Sequence, residues 1–470
     1  GRLFRGAAAR ELRPVAARRR HLHPRGGPVL TRALRLLAGL AAALILAAPE
    51  PARAQLEITV TGGAFQPIPI AVAPFLGDDP QAQAQASEVA DVVAADLAGS
   101  GIFRTIPRAA FLESFETIDA APDFASWRSI NADALVLGDA RFEPDGRLRV
   151  RFRLYDVAAG EQLEGLQFFV DPSAWRRVAH KVADAVYARL TGEGPYFDSR
   201  IVFVDERGPK GDRTKRLALM DQDGANLRYL TDGGELVLQP RFSPTQQEIL
   251  YIGYGTGEPQ VYLLNLDTGQ REALGRFPGM TFAPRFSPDG RRVVLSLAQN
   301  GNTDLYLLDL ATRALRRLTQ SGSIETSPSF SPDGRRLAFE SDRGGGGQIY
   351  VMDVAEGEAS ARRISYGDGR YSTPVWSPRG DLIAFTRIRG GVFEIGVMRA
   401  DGEGERILDQ GFHAEGPTWS PNGRVIAYFK ETPGERGAPA LWSVDVAGIN
   451  RRRRETPNAA SDPAWSPLLP

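Results

Sequence analysis

A short phrase recurs six times in the C-terminal half of this chain: a proline, any residue, Phe or Trp, a serine and a second proline. The opening prolines are Pro240, Pro284, Pro328, Pro374, Pro417 and Pro463, which lie 44, 44, 46, 43 and 46 residues apart. A period of about 40–50 residues built from short strands is typical of a β-propeller with one four-stranded blade per repeat. The phrase therefore predicts an all-β propeller of six blades, with PD40-type (WD40-like) repeats.

Each repeat has the pattern of a meander. The phrase forms the first strand, and Pro-Asp-Gly or Pro-Asn-Gly, as at 288–290 and 421–423, supplies a tight turn. An apolar second strand and an alternating third strand follow, as at 293–297 and 304–310. The fourth strand is basic, as at 451–456, which suits an outer edge that must not pair with another sheet. The arginine run 451–454 is therefore interpreted as an outer strand.

The two ends of the array complement each other. Residues 200–231 contain a second, third and fourth strand with no phrase before them, whereas the phrase at Pro463 has no further strands after it. We therefore expect the C-terminal strand to complete the first blade and close the ring, which would run over residues 200–470. Closure removes the exposed sheet edges of an open array.

The N-terminus has the pattern of a secretory signal peptide. A stretch rich in arginine precedes an apolar run at 36–48, and Ala52-Arg-Ala54 follows it. The apolar run is shorter than the roughly 18–20 residues that span a bilayer, so cleavage after Ala54 is preferred over a membrane anchor. Residues 1–54 hold 11 arginines and two glutamates, so the remaining chain has 46 basic and 55 acidic residues. That negative balance argues against a nucleic-acid partner.

The six-phrase period is absent between residues 55 and 191, where a small α/β domain is predicted. Strands are expected at 68–75 and 134–138, a hairpin at 147–170, and helices at 83–97 and 173–190 with Ser173 as the N-cap of the second helix. Residues 192–199 would be the linker to the ring. The predicted fold is thus an α/β N-terminal domain followed by a six-bladed β-propeller.

Catalytic signals are weak. The chain has no cysteine and four histidines, and it lacks a Gly-x-Ser-x-Gly elbow. His180 lies on a predicted helix, and no cluster has the sequence spacing of metal ligands. The segment 221–224 is interpreted as a turn rather than a calcium loop. We predict no catalytic residue, metal or cofactor.

With these features the chain resembles the TolB family of the Tol–Pal system. The resemblance rests on the cleaved signal, the six phrases ending in Pro463-Ala-Trp-Ser-Pro467, and the segments 69–74, 94–97 and 133–138 of the α/β domain. It implies a periplasmic, non-enzymatic scaffold, peripheral to the membrane, which supports outer-membrane integrity and cell division. Its expected partners are the lipoprotein Pal, the inner-membrane protein TolA and further envelope proteins.

The resemblance also implies two binding sites. The Pal site would lie on loops that lead into the proline phrases, with Phe282 and Tyr371 as aromatic anchors. The TolA site would be the start of the mature chain. The candidate Pal contacts are Met280, Thr281, Phe282, Glu325, Thr326, Tyr371 and His413, and the candidate TolA contacts are Gln55, Leu56, Glu57, Ile58, Thr59 and Val60.

One alternative from another class remains open. A secreted propeller enzyme, peptidase-like or lyase-like, would use the central channel as its active site. It would need clustered His, Asp, Glu or Arg at channel-facing positions of the phrases. Those positions are Arg241, Arg285, Ser329, Val375, Thr418 and Ala464.

Overall fold

The computed structural model describes residues 66–255, 257–277 and 279–469. The predicted signal peptide, its cleavage site at Ala54 and the predicted TolA segment 55–60 lie outside the described residues. The described chain forms an α/β region followed by six four-stranded sheets, so the predicted fold class is confirmed. No helix within these three ranges is long and apolar enough to cross a membrane.

The α/β region is one mixed sheet with helices. Its strands are β1 (Ile68–Val72), β2 (Leu76–Gly77), β3 (Phe103–Thr105), β4 (Ala134–Phe142), β5 (Leu148–Asp156) and β6 (Glu161–Val170). The sheet order is β3-β1-β4-β5-β6, and β2 also pairs with β4. Strand β1 runs parallel to β3 and β4, whereas β4, β5 and β6 are antiparallel. The helices are α1 (Pro80–Gly99), α2 (Phe124–Ser129) and α3 (Trp175–Thr191).

Capping residues mark where the helices begin and end. The Asp79 carboxylate caps α1 by accepting hydrogen bonds from the backbone N–H groups of residues 81 and 82 at 2.8 and 2.9 Å. The prediction of Ser173 as the cap of the last helix is wrong. A short 3-10 turn, Pro172–Ala174, precedes α3, and the Asp171 carboxylate accepts from Ser173 N at 2.9 Å. Helix α3 ends at Thr191, and Gly192 after it has a φ of 72°, the left-handed conformation common at a helix C-terminus.

The propeller has six sheets, each with its inner strand first. Blade 1 is β30 (Ala459–Trp465), β7 (Arg200–Arg207), β8 (Thr214–Asp221) and β9 (Arg228–Tyr229); blade 2 is β10 (Val237–Phe242), β11 (Glu248–Gly253), β12 (Gln260–Asn265) and β13 (Arg271–Ala273); blade 3 is β14 (Met280–Phe286), β15 (Arg292–Gln299), β16 (Asn302–Asp309) and β17 (Leu315–Arg317). Blade 4 is β18 (Glu325–Phe330), β19 (Arg336–Ser341), β20 (Gln348–Asp353) and β21 (Arg362–Arg363); blade 5 is β22 (Arg370–Trp376), β23 (Leu382–Arg389), β24 (Val392–Arg399) and β25 (Arg406–Gly411); blade 6 is β26 (His413–Trp419), β27 (Val425–Glu431), β28 (Pro439–Asp445) and β29 (Arg452–Arg453).

The ring closes within blade 1. Strand β30 pairs antiparallel with β7, with Trp465 opposite Ile201. The indole N–H of Trp465 donates to Ser199 Oγ at 2.8 Å, so the last phrase of the chain is joined to the segment that enters the ring. The strand pairing predicted for the C-terminus is present.

Every inner strand carries the same β-bulge. The pairing register shifts just before each phrase, for example between Leu238 and Arg241 and between Phe282 and Arg285. The residue preceding each opening proline has a left-handed backbone: φ is 52° at Gln239 and Ala283, 54° at Ser327, 47° at Thr373 and Asp462, and 68° at Gly416. A residue before proline ordinarily prefers extended backbone, and five of these six are not glycine, so this is a strained geometry repeated around the channel.

Candidate functional site

The two faces of the propeller carry different connections between its strands. We call the face where the inner strands begin the connection face; it carries the links from each outer strand to the next inner strand and the turns between second and third strands. We call the opposite side the turn face; it carries the Pro-Asp-Gly turns, such as 288–290, and the turns between third and fourth strands, such as 222–227. The predicted Pal contacts belong to the connection face.

Most of these contacts were predicted on loops, but the structure places them on strands. Met280 to Phe282 begin β14, Glu325 and Thr326 begin β18, and Tyr371 and His413 lie at the starts of β22 and β26. Alternate side chains of a strand point to opposite sides, so neighbouring candidates do not share the same exposure.

The position three residues before each opening proline is buried in all six blades. Its occupants are Val237, Thr281, Glu325, Tyr371, Ala414 and Ala460. Thr281, Glu325 and Tyr371, the last of which was predicted as an aromatic anchor, are therefore not available as surface side chains. The Tyr371 hydroxyl instead donates to Glu405 Oε2 at 2.8 Å, and Glu325 is paired with Arg343.

The position four residues before the proline is the exposed one. Leu236, Met280 and Ile324 occupy it in three successive blades and are 41%, 55% and 51% exposed. Arg370 is exposed at the same position in blade 5, and His413 is partly exposed in blade 6. Of the other predicted contacts, Phe282 and Thr326 are partly exposed.

Other apolar side chains extend this surface. Phe412, next to His413, is 54% exposed; Tyr366 lies in the link into blade 5, and Val392 begins its third strand. We call the set Leu236, Met280, Ile324, Tyr366, Val392 and Phe412 the apolar rim. Except for Met280, sequence reasoning did not select these residues, although the apolar residues at the equivalent positions 236, 280 and 324 were a usable signal.

His413 is held by two carboxylates at the edge of this face. Its Nε2 lies 3.1 Å from Glu415 Oε2, and its Nδ1 lies 3.3 Å from Glu431 Oε2. Hydrogen bonding to Glu415, together with Glu431, raises the pKa of His413 above its usual value. The imidazole also packs edge-on against Phe393 and Phe429, so this side chain is fixed as well as partly exposed.

A second carboxyl group lies near the same end of the channel. Burial raises the pKa of Glu340 to about 7, and the nearby Glu415 carboxylate acts in the same direction. Thr326 Oγ1 donates to Glu340 Oε2 at 3.2 Å, and this hydrogen bond favours the charged carboxylate. Its lowering effect on the pKa is smaller than the raising effect of burial. Glu340 is therefore largely neutral below neutral pH.

The turn face is covered in part by the α/β region and in part by the segment 192–199 that links it to the ring. Asn422 Nδ2, in the turn of blade 6, donates to the Gly194 carbonyl at 2.8 Å. Arg379 Nη1, in the turn of blade 5, lies 2.7 Å from Glu193 Oε2. Asn422 is buried at this junction.

This junction also contains a charged cluster, whose Asp96 and His180 are buried. Nδ1 of His180, on α3, lies 2.6 Å from Asp96 Oδ2 on α1, and Gln222 Nε2 of blade 1 donates to Asp96 Oδ1 at 2.8 Å. Burial disfavours a charged His180, but the Asp96 carboxylate outweighs it and raises the pKa of His180 to about 10. Arg176 pairs with Asp223 and lies 3.6 Å from Asp221, both in blade 1.

The cluster also bears on the metal prediction. Asp96, His180 and Asp223 place ligand atoms within 4.8 Å of one another, a grouping that could hold an ion. The spacing argument missed it because the three residues come from α1, α3 and a blade turn. Asp96 and Asp223 already have cationic partners in His180 and Arg176, so the cluster is accounted for as an interdomain contact.

The inner strands enclose a cavity of about 190 Å³ in the channel, lined by all six of the phrase positions named above. Two of the six are arginines, Arg241 and Arg285. Among the described residues that line this cavity there is no histidine, aspartate or glutamate.

Comparison with known proteins gives two family matches. Residues 56–163 match the model of the TolB amino-terminal domain, and residues 187–469 match that of the TolB beta propeller domain.

Among solved structures, TolB from Acinetobacter baumannii is 30% identical, with a TM-score of 0.76 over 86% of this chain and 97% of that one. A protein proposed to be a TolB from Agrobacterium tumefaciens is 20% identical over 58% of this chain and 98% of that one, with a TM-score of 0.46. An oligogalacturonate lyase from Vibrio parahaemolyticus is 16% identical over 54% and 72%, with a TM-score of 0.35. At such TM-scores the last two carry no argument about function.

Proposed function

Because this chain belongs to the TolB family, we propose that it is a non-enzymatic, periplasmic component of the Tol–Pal system whose connection face binds the lipoprotein Pal. TolA would bind the start of the mature chain. The protein would thereby support outer-membrane integrity and constriction during cell division.

The apolar rim is the observation that carries the proposal for Pal. Large apolar side chains that are about half exposed recur at equivalent positions of neighbouring blades, as Leu236, Met280 and Ile324 do. Contiguous exposed apolar surface on a soluble protein marks an interaction site more often than single exposed residues do. Aromatic residues at such a surface, here Phe412 and Tyr366, often dominate the interface energy.

The predicted Pal contacts divide into two groups on this basis. Met280, Phe282, Thr326 and His413 are at least partly exposed and are retained as direct contacts. The buried residues Thr281, Glu325 and Tyr371 would act only by holding the strand ends in place. Ile324 and Phe412 join the direct contacts as the exposed neighbours of Glu325 and His413.

Calorimetric titration of Pal into matched variants tests the surface. Met280→Ala and Phe412→Ala should each weaken Pal binding by more than about 1 kcal/mol, roughly fivefold or more, without comparable loss of stability. Asp333→Asn is the control, since Asp333 lies in a turn-face turn and its carboxylate accepts within that turn, from Ser331 Oγ at 2.5 Å and from Arg335 N at 3.0 Å. Normal binding by both rim variants together with weak binding by Asp333→Asn would place Pal on the turn face.

The proposed TolA site is tested separately. Residues 55–60 alternate apolar and polar side chains, a pattern that suits addition of an extended peptide to the edge of a partner's sheet. Deletion of residues 55–62 should abolish TolA binding and leave the melting temperature and Pal binding largely unchanged. TolA binding by the truncated protein would contradict this assignment.

A further inference from the structure

The channel cavity contains an arginine pair that the proposed Pal and TolA sites do not use. Arg241 and Arg285 occupy the same position of the phrase in blades 2 and 3, on β10 and β14, and both line the cavity. The four remaining blades have the small side chains Ser329, Val375, Thr418 and Ala464 at this position. The positive charge of the lining is therefore concentrated on one side.

The polar residues among the small ones already have a structural role. Ser329 Oγ accepts from Trp376 N of the next blade at 3.0 Å, and Thr418 Oγ1 accepts from Trp465 N at 3.1 Å. These hydroxyls join neighbouring blades. An arginine side chain cannot accept a hydrogen bond, so Arg241 and Arg285 cannot replace them in this role.

The arginine pair is poorly neutralised. Within the described ranges, neither guanidinium has a carboxylate oxygen within 4 Å. Arg241 Nη1 donates to the Pro240 carbonyl at 2.7 Å. Asp462 is the acid whose charge acts on Arg241, and its Oδ2 accepts from Gln239 N at 3.3 Å.

Burial and mutual repulsion both disfavour the charged forms of the two arginines. Burial lowers the pKa of both guanidinium groups, and the charge of Arg241 lowers that of Arg285 further. Burial likewise raises the pKa of Asp462, which weakens it as a counter-charge. Cations that are partly removed from solvent are normally paired, so two partly buried arginines that line one small cavity favour an anion there.

We propose that Arg241 and Arg285 form a binding site in the channel for a small oxyanion, a phosphate or carboxylate group. Guanidinium groups present planar N–H donors that match the oxygens of both groups, and a bound oxyanion would relieve the repulsion between the two cations. The cavity of about 190 Å³ has room for such a group with water.

Thermal unfolding of the full chain at fixed ionic strength tests the site. Replacing sodium chloride by sodium phosphate or sodium acetate should raise the melting temperature in a saturable manner, as a ligand that binds only the folded state does. Arg285→Gln and, as an independent variant, Arg241→Gln should lose at least most of this increase. Both should also melt higher than the wild type in chloride, because one of two repelling cations has gone.

Arg291→Gln is the matched control. Arg291 is an exposed arginine directly after the Pro-Asp-Gly turn 288–290, which follows β14, the inner strand that carries Arg285. This variant should keep the full increase in melting temperature. An increase that is undiminished in both channel variants would overturn the proposal, as would the absence of a saturable increase in the wild type. Pal is absent from all of these measurements, so failure of this proposal and failure of the proposed Pal site are distinguishable.

Discussion

The two faces of the propeller are built from the same repeats but differ in what covers them. At the turn face, polar and charged side chains meet the α/β region: Asn422 bonds to Gly194, and the Asp96–His180 pair is almost fully buried. At the connection face, the apolar rim is exposed and the polar groups, such as His413 with Glu415, are partly exposed. The contrast is between polar groups of the turn face that are buried in this junction and the large apolar side chains of the rim, which stay exposed on the side proposed for the partner.

The largest effect on the free energy of unfolding is expected from a comparison of two aromatic truncations. One is in the inner strand β26, and the other is in the residue that directly precedes this strand. Trp419 is 6% exposed, and its indole N–H donates to the Val375 carbonyl of the neighbouring blade at 2.9 Å. Trp419→Ala should lower the free energy of unfolding by about 3–5 kcal/mol, the range for emptying a large aromatic site. Phe412→Ala, at an exposed rim position, should lower it by less than about 1 kcal/mol. Similar losses in chemical denaturation would remove the distinction.

An intermediate effect is expected from Glu340 near the connection-face end of the channel. Its folded pKa of about 7 lies above the ordinary 4.5 because of burial. The stability that this group contributes is therefore present below pH 4.5 and is lost as the pH rises toward 7. Glu340→Gln should raise the free energy of unfolding by about 1–3 kcal/mol at pH 8 and change it little at pH 4.

The control for this pH experiment is Glu272→Gln. Glu272 is an exposed carboxylate paired with Arg313, so its removal should give no comparable gain at pH 8. If denaturation curves of Glu340→Gln and the wild type were parallel across this pH range, Glu340 would have to be ionised in the fold like an ordinary surface carboxylate.

The smallest effect is expected from the charged junction of the turn face. Arg176→Gln removes the pairing with Asp223 and Asp221, whose side chains are partly buried, and should cost about 1 kcal/mol. It should also speed proteolysis in the segment 192–195 between the two regions. Arg370→Gln, at an exposed connection-face position, is the comparison and should leave cleavage in this segment unchanged. Indistinguishable behaviour of the two variants would mean that the junction does not depend on this ion pair.

The sequence predicted the repeated architecture because its signals are local. Proline, Ser-Pro and Pro-Asp-Gly recur at fixed intervals, and they determine where each inner strand ends and turns. The hairpin predicted at 147–170 was correct for the same reason, since β5 and β6 are joined by a short turn that ends at Gly160. Local patterns therefore sufficed for the fold.

The candidate site was harder to predict because it depends on the side of the strand to which each side chain points, and on the β-bulges. The predicted contacts included both the buried position of Thr281, Glu325 and Tyr371 and the exposed position of Met280. A bulge next to each phrase shifts the alternation, and nothing in the spacing of the phrases reveals it. The His180–Asp96 contact joins residues 84 positions apart and was out of reach for local reasoning.

The closure of blade 1 has a consequence for how the ring is connected along the chain. The seam between β30 and β7 is held by hydrogen bonds and side-chain packing, with residues 465 and 201 directly opposite each other. Blade 1 therefore does not need a covalent link between β30 and β7. The chain could be opened at another place in the ring instead. The glycine run 344–347, between two strands of blade 4, offers one such place. A circularly permuted propeller that begins there, with its original ends linked, would keep the same six sheets and move the seam to a different blade.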